Sequence, residues 1–275
     1  MIQYPILLAH GLGGFEAMQY DVWQSMSLRI EYFHGVEAHY KSLGVEQVYA
    51  PGVPSTGSIA ERAEALKRFI DANIDAPKIH IIAHSMGGLD ARHYISRLGG
   101  AERVASLTTL GTPHHGSAIA NLTLDMIAGP LLDALLKIKL SNWRVYVDAY
   151  FAGHRDLMPE RMERFNAETS DAPTVRYFSY AGEPSAREVH WVLLPFYEYL
   201  KRKGEQPGPN DGLVLVESAR WSGWRGTVPL DHIGLVNWLF MPTAAACALK
   251  PLDFYAQLLQ NLSEVENQTD RRIEP

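Results

Sequence analysis

Short apolar runs alternate along the chain with stretches in which apolar residues recur every three or four positions. The runs are Pro5 to Ala9, Gln47 to Ala50, Lys78 to Ala83, Val104 to Leu110 and Val175 to Ala181, each continuous enough to be covered on both faces. Strands of that kind separated by amphipathic helices predict an α/β fold, a mostly parallel sheet with helices on both faces. Ser58 followed by Glu61 forms a capping-box signature, after which Leu66, Phe69, Ile70 and Ile74 share one helical face. Another helix opens just after Ser85, carries Leu89, Tyr94, Ile95 and Leu98, and stops at Gly99 and Gly100. Roughly the last fifteen residues are polar, and Glu264, Glu266, Asp270, Arg271 and Arg272 read there as a solvated end.

With 275 residues, 47% of them apolar, the chain can bury one large core, so residues 1–275 are expected to form a single domain. Insertions are expected at 118–170 and 183–207. The richest apolar run, Leu122 to Leu140, is broken by Asp125, Gly129, Pro130, Asp133, Lys137 and Lys139, and falls short of the roughly 18 residues of a membrane span. A net charge of -6 with 20% charged residues argues against a nucleic-acid partner. The single cysteine, Cys247, excludes an internal disulfide and a cysteine-based metal cluster and reads as a small core residue. No charged n-region precedes the apolar Tyr4 to Ala9 segment, and this, with the lone cysteine, favours an intracellular, cytoplasmic setting.

The strongest chemical signal is Ile79-His80-Ile81-Ile82-Ala83-His84-Ser85-Met86-Gly87-Gly88, a strand running through a tight turn into a helix. This is the pattern of a nucleophile elbow, which needs small residues two before and two after the serine because the turn brings neighbouring backbone close. Gly87 meets the need, and Ala83 stands where glycine is usual. Serine requires a base to take its proton and preorganised donors for the oxyanion that forms. The loop Ala9-His10-Gly11-Leu12-Gly13-Gly14 supplies one candidate donor, the Leu12 amide, and the Met86 amide at the helix N-terminus is the other, each worth roughly 3 kcal/mol in a transition state. The rival reading of that loop, a phosphate-binding turn, lacks both the P-loop lysine and the third glycine of dinucleotide spacing.

Among the 11 histidines, His232 is the one in the last quarter of the chain, where this architecture carries its base. His84 is expected to point away from Ser85, His10 to lie beneath the glycine loop, and His114 and His115 to shape a pocket wall. Asp211, on the turn Asn210-Asp211-Gly212, is the candidate orienting carboxylate. Asp231 is its rival, disfavoured because adjacent side chains diverge from His232.

Taken together these segments resemble the true lipases, bacterial and fungal. The match includes Tyr4-Pro5-Ile6-Leu7-Leu8-Ala9-His10-Gly11-Leu12-Gly13-Gly14, the elbow from Ala83 to Arg92, Leu107 to Ser117, Asn210-Asp211-Gly212-Leu213-Val214 and Asp231 to Trp238, the later segments being closer to the fungal branch. The resemblance implies an α/β-hydrolase fold, Ser85 as nucleophile, Asp211 as acid, His232 as base, and Leu12 and Met86 as oxyanion hole. Bacterial relatives place a calcium-binding aspartate two residues after the histidine; here that position is Gly234, and Trp238 replaces a further oxygen ligand, so no metal and no cofactor are expected.

The expected activity is ester hydrolysis through an acyl-enzyme, on acylglycerols. Phospholipid, short-chain ester or an acyl acceptor other than water fit the same triad, and a catalytically silent binding protein is the non-enzyme alternative. The insertion at 118–170, dense in leucine, isoleucine and methionine, reads equally as a lid that opens in transient contact with a lipid interface or as an ordinary helical cap. Trp191 to Tyr199 is expected to close the acyl pocket.

Overall fold

The computed structural model describes residues 2–14, 17–23, 26–123, 152–202, 207–238 and 249–270. In chain order its strands are β1 (Ile6–Ala9), β2 (Ala17–Trp23), β3 (Met26–Glu31), β4 (Val48–Tyr49), β5 (Ile79–His84), β6 (Val104–Leu110), β7 (Arg176–Gly182) and β8 (Trp224–Val228). Its α-helices are α1 (Val36–Ser42), α2 (Ile59–Asn73), α3 (Gly87–Arg97), α4 (Ala118–Thr123), α5 (Ala152–Asp156), α6 (Pro159–Glu168), α7 (Leu194–Arg202), α8 (Val216–Ala219) and α9 (Pro251–Asp270).

Strand alternation sorts the apolar residues into two layers. Ile6 and Leu8 of β1 face one way, with Ile82 and Leu110, and meet Val36 and Tyr40 of α1 and Phe254, Tyr255, Leu258 and Leu262 of α9. Leu7 and Ala9 face the other way, with Ile79, Ile81 and Leu107, against Leu66 and Ile70 of α2 and Tyr94 and Ile95 of α3. A sheet covered on both sides pairs in parallel throughout, in the order β4-β1-β5-β6-β7-β8, while β2 and β3 form a separate antiparallel ribbon. The five apolar runs coincide with β1, β4, β5, β6 and β7 to within one or two residues.

The start of α2 carries the expected reciprocal cap: the Ser58 hydroxyl accepts from the Glu61 amide, and the Glu61 carboxylate accepts from the Ser58 amide at 2.8 Å. The stop at Gly99 works through its left-handed backbone, φ +82°.

The polar end corrects one expectation. Glu264 is exposed, but Val265 and Glu266 are buried because Tyr255, Leu258, Leu262 and Val265 lay one face of α9 on the sheet. The Glu266 carboxylate is tolerated inside because donors meet it: the Gln3 amide at 3.0 Å, the Tyr4 amide at 2.8 Å and His80 Nε2 at 3.2 Å. Residues 271 and 272 of that expected end, Cys247, and residues 124–151 and 203–206 of the two insertions lie outside the described residues. No described helix is long and apolar enough to cross a membrane.

Candidate active site

The cluster lies beyond the carboxyl ends of β1, β5, β6 and β7, where an open parallel sheet leaves a crevice. Ser85 joins β5 to α3 with φ +54°, a left-handed conformation costly for a residue with a Cβ. The turn is held from several sides. The Ser85 amide donates to the Leu110 carbonyl at 2.9 Å, and its own carbonyl accepts from the Thr112 hydroxyl at 2.8 Å. A Cβ on Gly87 would fall 2.4 Å from the Ala9 carbonyl oxygen, so the small residue after the serine is required by the packing of α3 on the end of β1.

The loop after β1 comes close enough to Ser85 that a Cβ on Gly11 would sit 2.7 Å from the serine Cβ. Beneath it His10 is a structural ring, as expected. Its Nε2 accepts from the Val53 amide at 3.0 Å, so Nδ1 carries the proton and donates to the Gly11 carbonyl at 2.8 Å. Burial and the charge of Arg62 pull its pKa down to about 4, which keeps it neutral.

Arg62 is the residue the sequence reading missed. Fully buried on α2, it donates to the carbonyls of His10 (2.7 Å), Gly11 (3.2 Å) and Pro54 (2.8 Å) and pairs with Asp90 of α3 at 2.8 Å. The signal was an arginine sharing the buried face of α2 with Ile59, Ala63, Leu66 and Ile70. Burial pushes the Asp90 carboxyl up to about 6 against the pull of Arg62. With these carbonyls tied back, the Leu12 amide remains without a hydrogen-bond acceptor among the described residues, and so does the Met86 amide on the other side of Ser85.

Asp211 is almost completely buried. One carboxylate oxygen accepts from the Leu213 and Val214 amides at 2.9 and 2.7 Å, and the other meets His232 Nδ1 at 2.7 Å. The His232 amide also donates to the Asp211 carbonyl at 2.8 Å, so backbone and ring are fixed together. Asp231 turns away, its carboxylate accepting from the His190 and Gly234 amides at 2.6 and 2.7 Å. The Gly234 amide is thereby used on Asp231, and the Trp238 indole N–H donates to the Tyr32 carbonyl at 2.7 Å.

Ser85 and His232 border one cavity of about 460 Å³, whose walls include Leu12, Ile119, Leu157, Leu213 and Val236. Among the described residues no hydrogen bond joins the Ser85 hydroxyl to His232; proton transfer requires the side chains to close up, as such sites commonly do on binding substrate. The arrangement offers a hydroxyl on a strained turn, a carboxylate-oriented imidazole and two spare amide donors in an apolar cleft, the requirements of acyl transfer.

Other expectations need correcting. His84 does not point away: it lines the cavity, and its ring lies against His232 with centroids 4.5 Å apart, because Tyr32 holds it there. His114 is no pocket wall; it is fully buried, stacked on Trp221 and bonded to Arg92 and Thr109, and His115 beside it is exposed. Within Trp191 to Tyr199, Leu193 and Tyr197 pack behind Leu213 and Ile233 instead of facing the cavity.

The parallel sheet and this turn define an α/β-hydrolase. Residues 5–153 match the family model described as palmitoyl protein thioesterase. The chain is 32% identical to triacylglycerol lipase 2 of Saccharomyces cerevisiae over 94% of its own length and 91% of the relative's, and 25% identical to a triacylglycerol lipase of Pseudomonas fragi over 95% and 97%. The crystal structure of Staphylococcus hyicus lipase superposes with a TM-score of 0.70 at 18% identity, covering 96% of each chain. The chain belongs to the triacylglycerol lipase family, a family of carboxylic ester hydrolases, and its first half carries the pattern of the palmitoyl protein thioesterase family.

Proposed function

We propose that this chain is a lipase whose nucleophile is Ser85, general base His232 and orienting acid Asp211, acting on acylglycerols. The observation that carries the reading is the Asp211–His232 pair, 2.7 Å apart, whose imidazole borders the same cavity as a serine at φ +54°. His232 takes the hydroxyl proton as the Ser85 oxygen bonds to the ester carbonyl carbon, and the carbonyl oxygen becomes an oxyanion held by the Leu12 and Met86 amides. Collapse breaks the bond to the alcohol, which leaves with the proton from His232. Water then attacks the acyl-serine, giving its proton to His232, and the acid departs as Ser85 is reprotonated. Asp211 keeps the imidazole in the required tautomer and balances its positive charge.

The apolar walls favour a fatty acyl chain, and a substrate of that kind brings the enzyme into transient contact with a lipid interface. Ser85→Ala should abolish hydrolysis of a p-nitrophenyl ester and labelling by a fluorophosphonate; undiminished turnover rejects the assignment. Rates over esters of rising acyl length, with and without an emulsion, separate a lipase from a short-chain esterase. The match to the thioesterase family favours one further reading, cleavage of S-acyl thioesters by the same groups. Comparison of an S-palmitoyl thioester with the corresponding oxygen ester decides between them.

A further inference from the structure

Asp211 grips the His232 ring at one nitrogen on its edge. A ring held only there can still tip about that bond, and tipping carries its other nitrogen off the line to Ser85. The face of the ring needs a second support, and His84 provides it. Its ring lies 4.5 Å from that of His232, centroid to centroid, at 51°, and is 1% exposed. The His84 Nδ1 is bonded to the Tyr32 hydroxyl at 2.7 Å, and Tyr32 is in turn fastened through its carbonyl by the Trp238 indole.

We propose that His84, anchored by Tyr32, is a positioning residue for His232: its uncharged ring braces the general base and stabilises the imidazolium that forms when Ser85 gives up its proton. The proposal rests on the reading of His232 as the base. An imidazole face turned toward a cation is attractive, whereas a second cation at this distance would oppose proton uptake. The surroundings keep His84 neutral. Burial, then the neighbouring His232, hold its pKa well below the ordinary histidine value, against the opposing His232 carbonyl and with His10 adding to the depression. Its Nε2 is enclosed and makes no hydrogen bond among the described residues. The other acidic neighbours of His232 are Asp211, bonded to its Nδ1, and Asp231, whose carboxylate accepts from the His190 and Gly234 amides.

The test is steady-state hydrolysis of a p-nitrophenyl ester by the full chain across roughly pH 5 to 9, spanning the ordinary histidine range. His84→Leu should lower kcat about tenfold, the scale of one aromatic contact, with KM within about twofold. The acid limb of kcat/KM should move to lower pH, because the imidazolium forms less readily without its neighbour. Tyr32→Phe should act in the same direction and less strongly. Added to His84→Leu it should cost nothing more, since its effect passes through the missing ring. An unchanged kcat in His84→Leu overturns the proposal. So does a rise in KM with the acid limb unmoved, which marks a substrate contact, or independent multiplication of the two losses. If His84→Leu does not fold, His84→Gln with Tyr32→Phe completes the same cycle. Turnover surviving Ser85→Ala would instead count against the assignment of the nucleophile, leaving the two failures distinguishable.

Discussion

At the scale of single residues, the site is built from backbone conformations that side chains resist. Gly111 has φ +56°, and a Cβ there would meet Asp211 Oδ2 and Leu235 at 2.8 Å. Gly111→Ala should therefore cost about 1–3 kcal/mol of stability for the strain alone and lower kcat further by displacing the carboxylate from His232. Chemical denaturation beside ester kinetics measures both. Arg62 separates stability from catalysis more sharply. Arg62→Met leaves Asp90 buried without its partner and should destabilise by about 3–5 kcal/mol. Adding Asp90→Leu should restore much of that stability but not kcat, because the His10 and Gly11 carbonyls stay untied and the Leu12 amide loses its aim. Recovery of kcat in the double variant would show that the arginine acts only as a counter-charge. Ser85, Asp211 and His232 each sit in a short local pattern, so the sequence alone is enough to propose them. It is not enough for Arg62 and Tyr32, since their partners are carbonyls and rings brought near by folding, which no spacing records.

Elements were legible where their periodicity was unmixed. The buried parallel strands are unbroken apolar runs, hence their recognition. The edge strand β8 is not: Trp224 to Thr227 alternates between half-buried and exposed positions before the buried Val228, and the strand contains Gly226 at φ +114°. The ribbon of β2 and β3 is absent from the expected strands, although Met26-Ser27-Leu28-Arg29-Ile30-Glu31 alternates strictly. Helix α9 was hidden by its charged second half, where the grip on the first strand resides. The pH dependence of that grip follows from Glu266. Burial works against its ionisation, but His80 and the Gln3 and Tyr4 amides outweigh it, so its pKa lies below the ordinary glutamate value. A carboxylate lowered on folding stabilises the native state above its unfolded pKa of about 4.3, and that contribution is lost as pH falls through the folded value. Glu266→Gln should lower Tm at neutral pH and narrow its gap from the parent chain as the solution is acidified below about pH 4. A gap that holds constant would mean the carboxylate charge contributes nothing.

For the molecule as a whole, the cavity is a meeting of distant segments. Helix α5 packs beside Leu12 and on the segment that leads into α2: the Gly153 amide donates to the Thr56 carbonyl at 3.2 Å, and the Asp156 carboxylate accepts from the Ile59 amide at 2.9 Å at the start of α2. Leu157, immediately beyond, lines the cavity together with Leu213 and Val214. Leu157→Trp should take up space there and shift the acyl-length optimum toward shorter chains, while fluorophosphonate labelling of Ser85 proceeds as before. An unaltered optimum would place the acyl chain on another wall.

The late position of α9 in the chain also bears on how the protein is made. Its apolar face completes the layer that covers β1, the earliest of the described strands in chain order. Until α9 has left the ribosome, that side of the sheet has α1 but not its full cover, and the apolar surface left open exposes the nascent chain to aggregation and to chaperone capture.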